Sequence, residues 1–418
     1  MAGEATADVR AVDLARIRAA AAAGAGVVRE TPVIGSRTLS ERIGGAVALK
    51  AESLQRTGSF KLRGALAKLA ALGEEGCAHG VVAGSAGNHG QAVAYAARER
   101  GVRCEIVMPA GAPVTKVEAC RAAGAEVVLV AGGVDDAVAA ARERAADGGL
   151  AFVHPFDDPD VVAGQGGVGL ELAAQLPQLA RVVMPLGGGG LASGVAIAVK
   201  ALRPDVQVVG VQVERCAPFP GSLMRGAPVA IEAPPVTIAD GIAVKRPGEL
   251  TLPLVRRWVD EVVTVAEDDV AEAMVVLMEH SKLVVEGAGA VGVAALLSGA
   301  AAPASEGTTA VVLSGGNVDV GLLASLARRH ESVVGRRLVL TTTVPDRPGE
   351  LGRLLALIAA VGANLLDVVH LREGVALHVR ETAVQLVLET RDRAHADTVL
   401  ERLRAAGYEV ATPPAAPR

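Results

Sequence analysis

A chain of 418 residues is longer than one hydrophobic core usually sustains, so at least two domains are expected. With 51% hydrophobic and 21% charged residues it can bury enough apolar surface to offset chain entropy, which excludes global disorder. A formal charge of −5 provides no basic face for nucleic acid or anionic lipid, and small molecules are the expected partners. Aromatic residues are only 2% of the chain, so Ala, Val and Leu must fill its interior. Cys77, Cys104, Cys120 and Cys216 show no CxxC spacing and no accompanying His pattern, and read as buried free thiols. The N-terminal segment MAGEATADVRAVDLARIRAA carries early acids and no uninterrupted apolar stretch, and later apolar runs are too short for a bilayer. A cytoplasmic protein with no membrane contact is expected.

From about residue 45 to 320, Val-rich runs alternate with Ala-rich helical stretches: VALKAE, SFKLRGALAKLAAL, VVAGSAGNHG, QAVAYAARERG, CEIVMP, KVEACRAAG, EVVLV. That alternation predicts βα units and a parallel sheet with helices on both faces. The continuous apolar runs VVMPLGG, VQVVGVQV and TAVVLSGG fit strands covered on both sides. The stretch GAAAPASEGT at 299–308 and VVGRR at 333–337 point to a boundary near 330–336. Beyond it RRLVLTTTVPD reads as a strand, GELGRLLALIAAVG as a helix, NLLDVVHLR and ETAVQLVLETR as strands, HADTVLERLRAAG as a helix, and YEVAT as a last strand. A βαββαβ order is the ferredoxin-like, split βαβ pattern. The expected domains are 1–332, with a smaller subdomain inserted at about 60–155, and 336–413.

Four segments carry chemistry, each following an apolar run or opening a helix. In Ser59-Phe60-Lys61-Leu62-Arg63-Gly64, Lys61 opens an apolar helix beside an aromatic ring. Most lysines are solvated surface groups, but one that bonds to an aldehyde needs a desolvated pocket and a flat neighbour. In Ser85-Ala86-Gly87-Asn88-His89-Gly90-Gln91, small residues at a helix start leave backbone N–H groups free for a carboxylate; a plain capped turn is the alternative. Gly187-Gly188-Gly189-Gly190-Leu191 suits a phosphate at a helix N-terminus and matches neither a Walker loop nor a dinucleotide fingerprint. Ser314-Gly315-Gly316-Asn317 follows AVVL, where a parallel sheet presents ligands beyond its strand ends.

In this order the segments SFKLRGA, SAGNHGQ, GGGGL and SGGN resemble those of the fold-type II pyridoxal-phosphate enzymes, and within them the threonine/serine dehydratases that carry a C-terminal ACT domain. The resemblance implies a tryptophan-synthase-β-like catalytic domain of two parallel-sheet subdomains followed by a ferredoxin-like ACT domain. It implies that Lys61 bonds to pyridoxal 5'-phosphate and then serves as acid and base, with Phe60 against the ring. Asn88 would bond the ring hydroxyl, Gly187 to Leu191 hold the phosphate, and Ser314 face the pyridine nitrogen. Ser85, with the backbone from Ala86 to His89, would hold the substrate carboxylate. A neutral hydroxyl at the pyridine nitrogen makes a weaker electron sink than a carboxylate partner, favouring prompt β-elimination over transamination. The implied reaction converts L-threonine to 2-oxobutanoate and ammonia, and L-serine to pyruvate.

Two positions depart from relatives. Serine racemases resemble a Ser-Ser-Gly-Asn version of the carboxylate loop, and here the second serine is Ala86, which disfavours racemisation. Gly167 stands where many relatives carry Thr after GQG. Glu286 in EGAGA and Asp240 in ADGIAV also match the family but receive no role, and Gln212 where a carboxylate is expected implies no required metal. Asp346-Arg347-Pro348-Gly349-Glu350-Leu351 with Gly362-Ala363-Asn364 resembles the ACT signature, making Gly349, Glu350, Leu351 and Asn364 candidates for binding an amino-acid effector. Isoleucine or valine would be natural effectors if the product feeds isoleucine biosynthesis, and ACT pairing implies a homo-oligomer. Two other readings are a serine-preferring dehydratase and a non-catalytic sensor of pyridoxal phosphate and amino acids.

Overall fold

The computed structural model describes residues 10–232, 236–372 and 378–413, in two compact units, Met1–Val318 and Asp319–Arg418. The first nine residues, part of the N-terminal segment read above, lie outside the described residues.

The first unit holds two sheets. The larger runs in the order Val33–Gly35, Val47–Ala51, Thr308–Leu313, Leu179–Pro185, Gln207–Val213, Glu261–Val265, parallel throughout except for the antiparallel edge strand Val33–Gly35. The smaller is fully parallel, in the order Glu126–Val130, Cys104–Pro109, Val81–Gly84, Ala151–Phe152, and lies inside the stretch 60–155 expected as an insertion. Central strands such as Val47–Ala51 and Cys104–Pro109 are buried at every residue, because helices cover both faces. The four cysteines are free and buried.

Helix Lys61–Gly76 carries the lysine segment. Leu62, Leu66 and Leu69 recur on one helical face and are essentially inaccessible, each contributing roughly 1.5–3 kcal/mol by burial. Its backbone meets helix Pro159–Gln165 closely: a Cβ on Gly164 would stand 2.5 Å from the Arg63 carbonyl oxygen, and one on Gly64 would run into the Gln165 amide. Only glycine allows that approach.

The start of the same helix is tied by a buried ion cluster. Arg63 donates to Glu52 from Nε and Nη2, each at 2.8 Å, and to Glu171 from Nη1 at 2.6 Å and Nη2 at 2.9 Å. Lys50 donates to Glu171 at 2.5 Å, to the Thr31 carbonyl at 2.7 Å and to Gln175 at 2.9 Å. Burial alone would raise the Glu52 carboxyl, but the Arg63 guanidinium and the Thr31 hydroxyl hold it below its ordinary value. Two cations and two carboxylates thus close on each other, and the cluster joins strand Val47–Ala51, helix Lys61–Gly76 and helix Gly167–Gln175.

The second unit opens with helix Val320–Val333, which packs against strand Arg337–Pro345, so the division between units falls at Val318, before that helix rather than near 330–336. There follows a βαββαβ chain whose antiparallel sheet runs Asn364–Leu371, Glu381–Glu389, Arg337–Pro345, Val410–Ala411. Strand Arg337–Pro345 alternates inward and outward along its length, with Leu338, Leu340 and Val344 facing Leu354, Ile358, Val399 and Leu403 in one core.

Replacing Arg63 with Met leaves the buried Glu52 carboxylate without its main partner and Glu171 with Lys50 alone, and should destabilise the protein by about 3–5 kcal/mol, read by chemical denaturation. Since the folded Glu52 carboxyl titrates below its unfolded value of 4.5, its contribution holds above that pH and is lost on further acidification. Glu52→Gln should therefore flatten the acid limb of the stability profile, and an unchanged limb would contradict this account.

Candidate active site

All the catalytic-domain site residues named from sequence, Phe60, Lys61, Ser85 to His89, Gly187 to Leu191 and Ser314, line one cavity of about 1070 Å³. They meet because strands Val81–Gly84, Leu179–Pro185 and Thr308–Leu313 end at it, the usual place for ligands in a parallel sheet. Backbone contacts lock the lysine segment to the last of these: Ser59 bridges to Gly315, and Phe60 N–H donates to the Ser314 carbonyl at 3.0 Å.

Lys61 Nζ donates to the Pro155 carbonyl at 2.8 Å and lies 5.2 Å from the Phe60 ring centroid. Burial lowers its pKa to about 8, although Glu286 pulls the other way, so about a tenth is the free amine at pH 7, far more than for an ordinary lysine. Burial likewise raises the Glu286 carboxyl to about 7, assisted by Asp240 and opposed by the hydrogen bond from Asn88. His89 is buried with Nε2 2.8 Å from the Val153 carbonyl oxygen, and burial and the nearby Lys61 charge push its pKa down to about 3. Its ring is neutral and already engaged. Ser85 Oγ accepts from Gly87 N–H at 3.2 Å, and the helix begins at Asn88, earlier than the QAVAYAARER stretch read as helical from sequence.

The glycine loop enters the 13-residue helix Gly190–Leu202, whose first N–H groups lack intrahelical partners. Side chains are excluded from it. A Cβ on Gly188 would run into the Phe156 ring, and Gly189 has φ +97° with Thr251 Cβ 2.8 Å from a Cβ position. Thr251 Oγ1 donates to the Gly188 carbonyl at 2.6 Å, and the Asp157 carboxylate accepts from the backbone N–H groups of Glu249, Leu250 and Thr251. A buried amine beside an aromatic ring, a helix-end anion cradle and the buried neutral hydroxyl of Ser314 together fit an aromatic aldehyde bearing a phosphate.

A family model described as "Pyridoxal-phosphate dependent enzyme" matches residues 25–315. This chain belongs to that family. Pyridoxal phosphate is therefore its cofactor, and the cavity's donor set fits it. The chain is 46% identical to an L-threonine ammonia-lyase of Thermotoga maritima over 384 residues, covering 92% of this chain and 95% of that protein. Among solved structures, a threonine deaminase from T.th. superposes with a TM-score of 0.69 at 44% identity, covering 73% of this chain and 99% of its own. A maize serine racemase superposes with a TM-score of 0.72 at 34% identity, covering 77% and 99%.

The sequence reading missed the loop His154 to Asp157, which supplies the Lys61 carbonyl partner, the ring against Gly188 and the cap for helix Thr251–Trp258. His154 Nδ1 accepts from the N–H groups of Phe156 at 3.3 Å and Asp157 at 2.7 Å, and burial lowers its pKa to about 4. The available signal was VHPFDDP following AF, but strand Ala151–Phe152 is only two residues long. Of the effector candidates, Gly349 caps helix Glu350–Ala360 with φ +90°, Leu351 packs on the second unit's core, and Asn364 donates to Glu389 at 3.0 Å. Among the described residues no helix is long and apolar enough to cross a membrane.

Gly188→Ala should weaken pyridoxal-phosphate binding by about a hundredfold or more, since the new methyl must displace the Phe156 ring, and equilibrium titration of cofactor-free protein would measure it. Because the reactive amine is the deprotonated one, cofactor uptake should accelerate as pH rises through about 8 and then level off. Stopped-flow absorbance would read that profile, and a rise continuing toward 10.5 would show an unshifted lysine.

Proposed function

We propose that this chain is a threonine ammonia-lyase, eliminating the β-hydroxyl of L-threonine to yield 2-oxobutanoate and ammonia, and acting also on L-serine to yield pyruvate. The observation that carries the reading is the meeting of the buried Lys61 amine, its pKa lowered to about 8, and the neutral hydroxyl of Ser314 in one cavity, in a chain similar to threonine ammonia-lyases over most of its length.

In this proposal Lys61 carries the cofactor, Phe60 packs on its ring, Asn88 bonds the ring hydroxyl, Gly187 to Leu191 hold the phosphate, and Ser314 faces the pyridine nitrogen. When bound, pyridoxal phosphate supplies the electron sink for the pair left on Cα. Ser85, with the N–H groups of the Ala86 to His89 turn, holds the substrate carboxylate at the start of helix Asn88–Glu99. Lys61 Nζ, as the free amine, would take the α-proton. Its lowered pKa suits both taking and returning a proton near neutrality. The Cβ–O bond breaks with its electron pair on oxygen, and the oxygen leaves as water with the proton that Lys61 returns. A second water later hydrolyses the released enamine to the keto acid and ammonia. Racemisation needs a donor on the opposite face, and Ala86 offers none.

Threonine and serine differ by one methyl, worth about 1–3 kcal/mol of discrimination, so serine turnover is expected beside threonine turnover. A serine-preferring dehydratase is the nearest alternative within this class. A sensor without turnover would also hold the cofactor through Lys61, and the release of keto acid is what separates the two readings.

The second unit is proposed to be an ACT domain. Its βαββαβ sheet supports this, and the 384-residue similarity to the Thermotoga maritima protein, longer than the first unit, reaches into it. Gly349, Glu350, Leu351 and Asn364 would then contact an amino-acid effector such as isoleucine or valine, in a cytoplasmic homo-oligomer, with regulation a coupling free energy between the two sites.

Purified protein should show the visible band of bound cofactor and release 2-oxobutanoate from L-threonine, and Lys61→Ala should lower turnover at least about a thousandfold. Bound cofactor without keto acid from either substrate would favour the sensor. In Ala86→Ser, a hydroxyl on the second face should make D-serine detectable from L-serine by chiral chromatography, and its absence would show that Ala86 does not decide the outcome.

A further inference from the structure

Asn317 closes the Ser314 to Asn317 segment and has no role in the chemistry described so far. We infer that Asn317 and Glu286 fix the orientation of the Asn88 side-chain amide, so that Asn88 presents an N–H, and no acceptor, to the ring oxygen of the cofactor. The inference rests on the pyridoxal-phosphate reading of the cavity and makes Asn317 a positioning residue for that reading.

The argument starts at an atom whose chemistry is unambiguous. The Thr57 backbone carbonyl can only accept, and Asn317 Nδ2 donates to it at 2.8 Å, which decides the nitrogen end of the Asn317 amide. The other N–H of that group points to Asn88 Oδ1 at 2.8 Å, with Gln91 Oε1 more distant at 3.5 Å. The oxygen of Asn88 is thereby taken, and its nitrogen turns to Glu286, donating to Oε1 at 2.7 Å. Glu286 is held in turn by the Asn317 backbone N–H, and its own N–H donates to the Gly315 carbonyl at 3.1 Å. An ionised Glu286 carboxylate can only accept, and a protonated one still offers an accepting oxygen, so this end suits an Asn88 N–H in either state, while the direction of the chain is set at the Thr57 carbonyl.

Turning the Asn88 amide over would set its oxygen against the Glu286 carboxylate and its N–H groups against those of Asn317, two mismatched contacts in a poorly solvated place. The amide at the far end is sterically fixed as well. Gly58 passes beside it with φ +72°, and a Cβ there would run into the Asn317 side chain. Of the two N–H groups on Asn88 Nδ2, one serves Glu286 and one is free to donate into the cavity that Asn88 lines. A ring oxygen facing a donor is favoured in its ionised form. The same chain of bonds joins the Thr57 loop before Lys61, the first turn of helix Asn88–Glu99 and the segment after strand Thr308–Leu313, so cofactor orientation and lysine placement are set together.

The test compares cofactor-free parent, Asn317→Ala and Asn317→Asp by pyridoxal-phosphate titration and by the visible spectrum of the loaded proteins, with thermal melting as the folding control. Asn317→Ala removes the donor that holds the Asn88 oxygen and should weaken cofactor binding about tenfold. Asn317→Asp replaces donor by acceptor, inviting the Asn88 amide to reverse, and should weaken binding about a hundredfold. Both should shift the visible band toward the form with a protonated ring oxygen, the Asp variant further, and the Ala variant reads the same effect if the Asp variant fails to fold. Parent-like affinity and spectrum in either folded variant would overturn the inference, as would weakened binding with an unshifted band, which marks a merely structural residue. A parent protein that takes up no cofactor would instead sink the reading of the cavity.

Discussion

A guanidinium shared between two buried carboxylates holds the catalytic unit together where it matters most. Arg63 follows Lys61 by two residues, and its bonds to Glu52 and Glu171 fix the helix start against the turn after strand Val47–Ala51 and a second helix. Such a cluster adds little net stability compared with apolar packing, since desolvating four charges costs about what their attraction returns. Its effect is geometric. Any shift of the helix would leave a charge unpaired in a dry interior, so the lysine has one position rather than several.

The other constraint is closeness of approach. Helices Lys61–Gly76 and Pro159–Gln165 touch through Gly64 and Gly164, and the loop from His154 to Asp157 leads directly into the second of these helices. The loop's Pro155 carbonyl holds the amine, its Phe156 ring fills the space beside Gly188, and its Asp157 caps the helix that packs behind the glycine loop. One short segment therefore coordinates the two halves of a cofactor site, and its neutral His154 holds the turn through Nδ1. An interior dominated by Ala and Val makes such close packing possible, because small side chains let backbones approach.

Much of the fold was legible because burial leaves a pattern. Continuous apolar runs such as VVMPL and AVVL are expected only where both sheet faces are covered, and they lie in the two central strands of the six-stranded sheet. The segment RRLVLTTTVPD was legible as a strand, and in the structure Arg337–Pro345 buries alternate residues, as a strand with one covered face does. Four site segments were legible for a related reason: glycines and small polar residues placed after such runs are costly unless a ligand or a tight approach uses them. His154 to Asp157 escaped because their strand is too short to show periodicity, and Glu286 because a helix-start carboxylate has an ordinary explanation in capping.

The amino-acid sequence by itself determined which residue types stand at the strand ends, the parallel and antiparallel characters of the two units, and the absence of a hydroxyl at Ala86. Only the tertiary structure decided which partners those residues have: that Lys61 meets Pro155, that Asn88 is gripped between Asn317 and Glu286, and that Asp157 caps a helix some ninety positions away. The physical reason is range. Periodicity and turn chemistry act over a few neighbouring residues and are written locally, whereas the pKa of a buried lysine or the orientation of an amide depends on atoms that folding alone brings within about 3 Å.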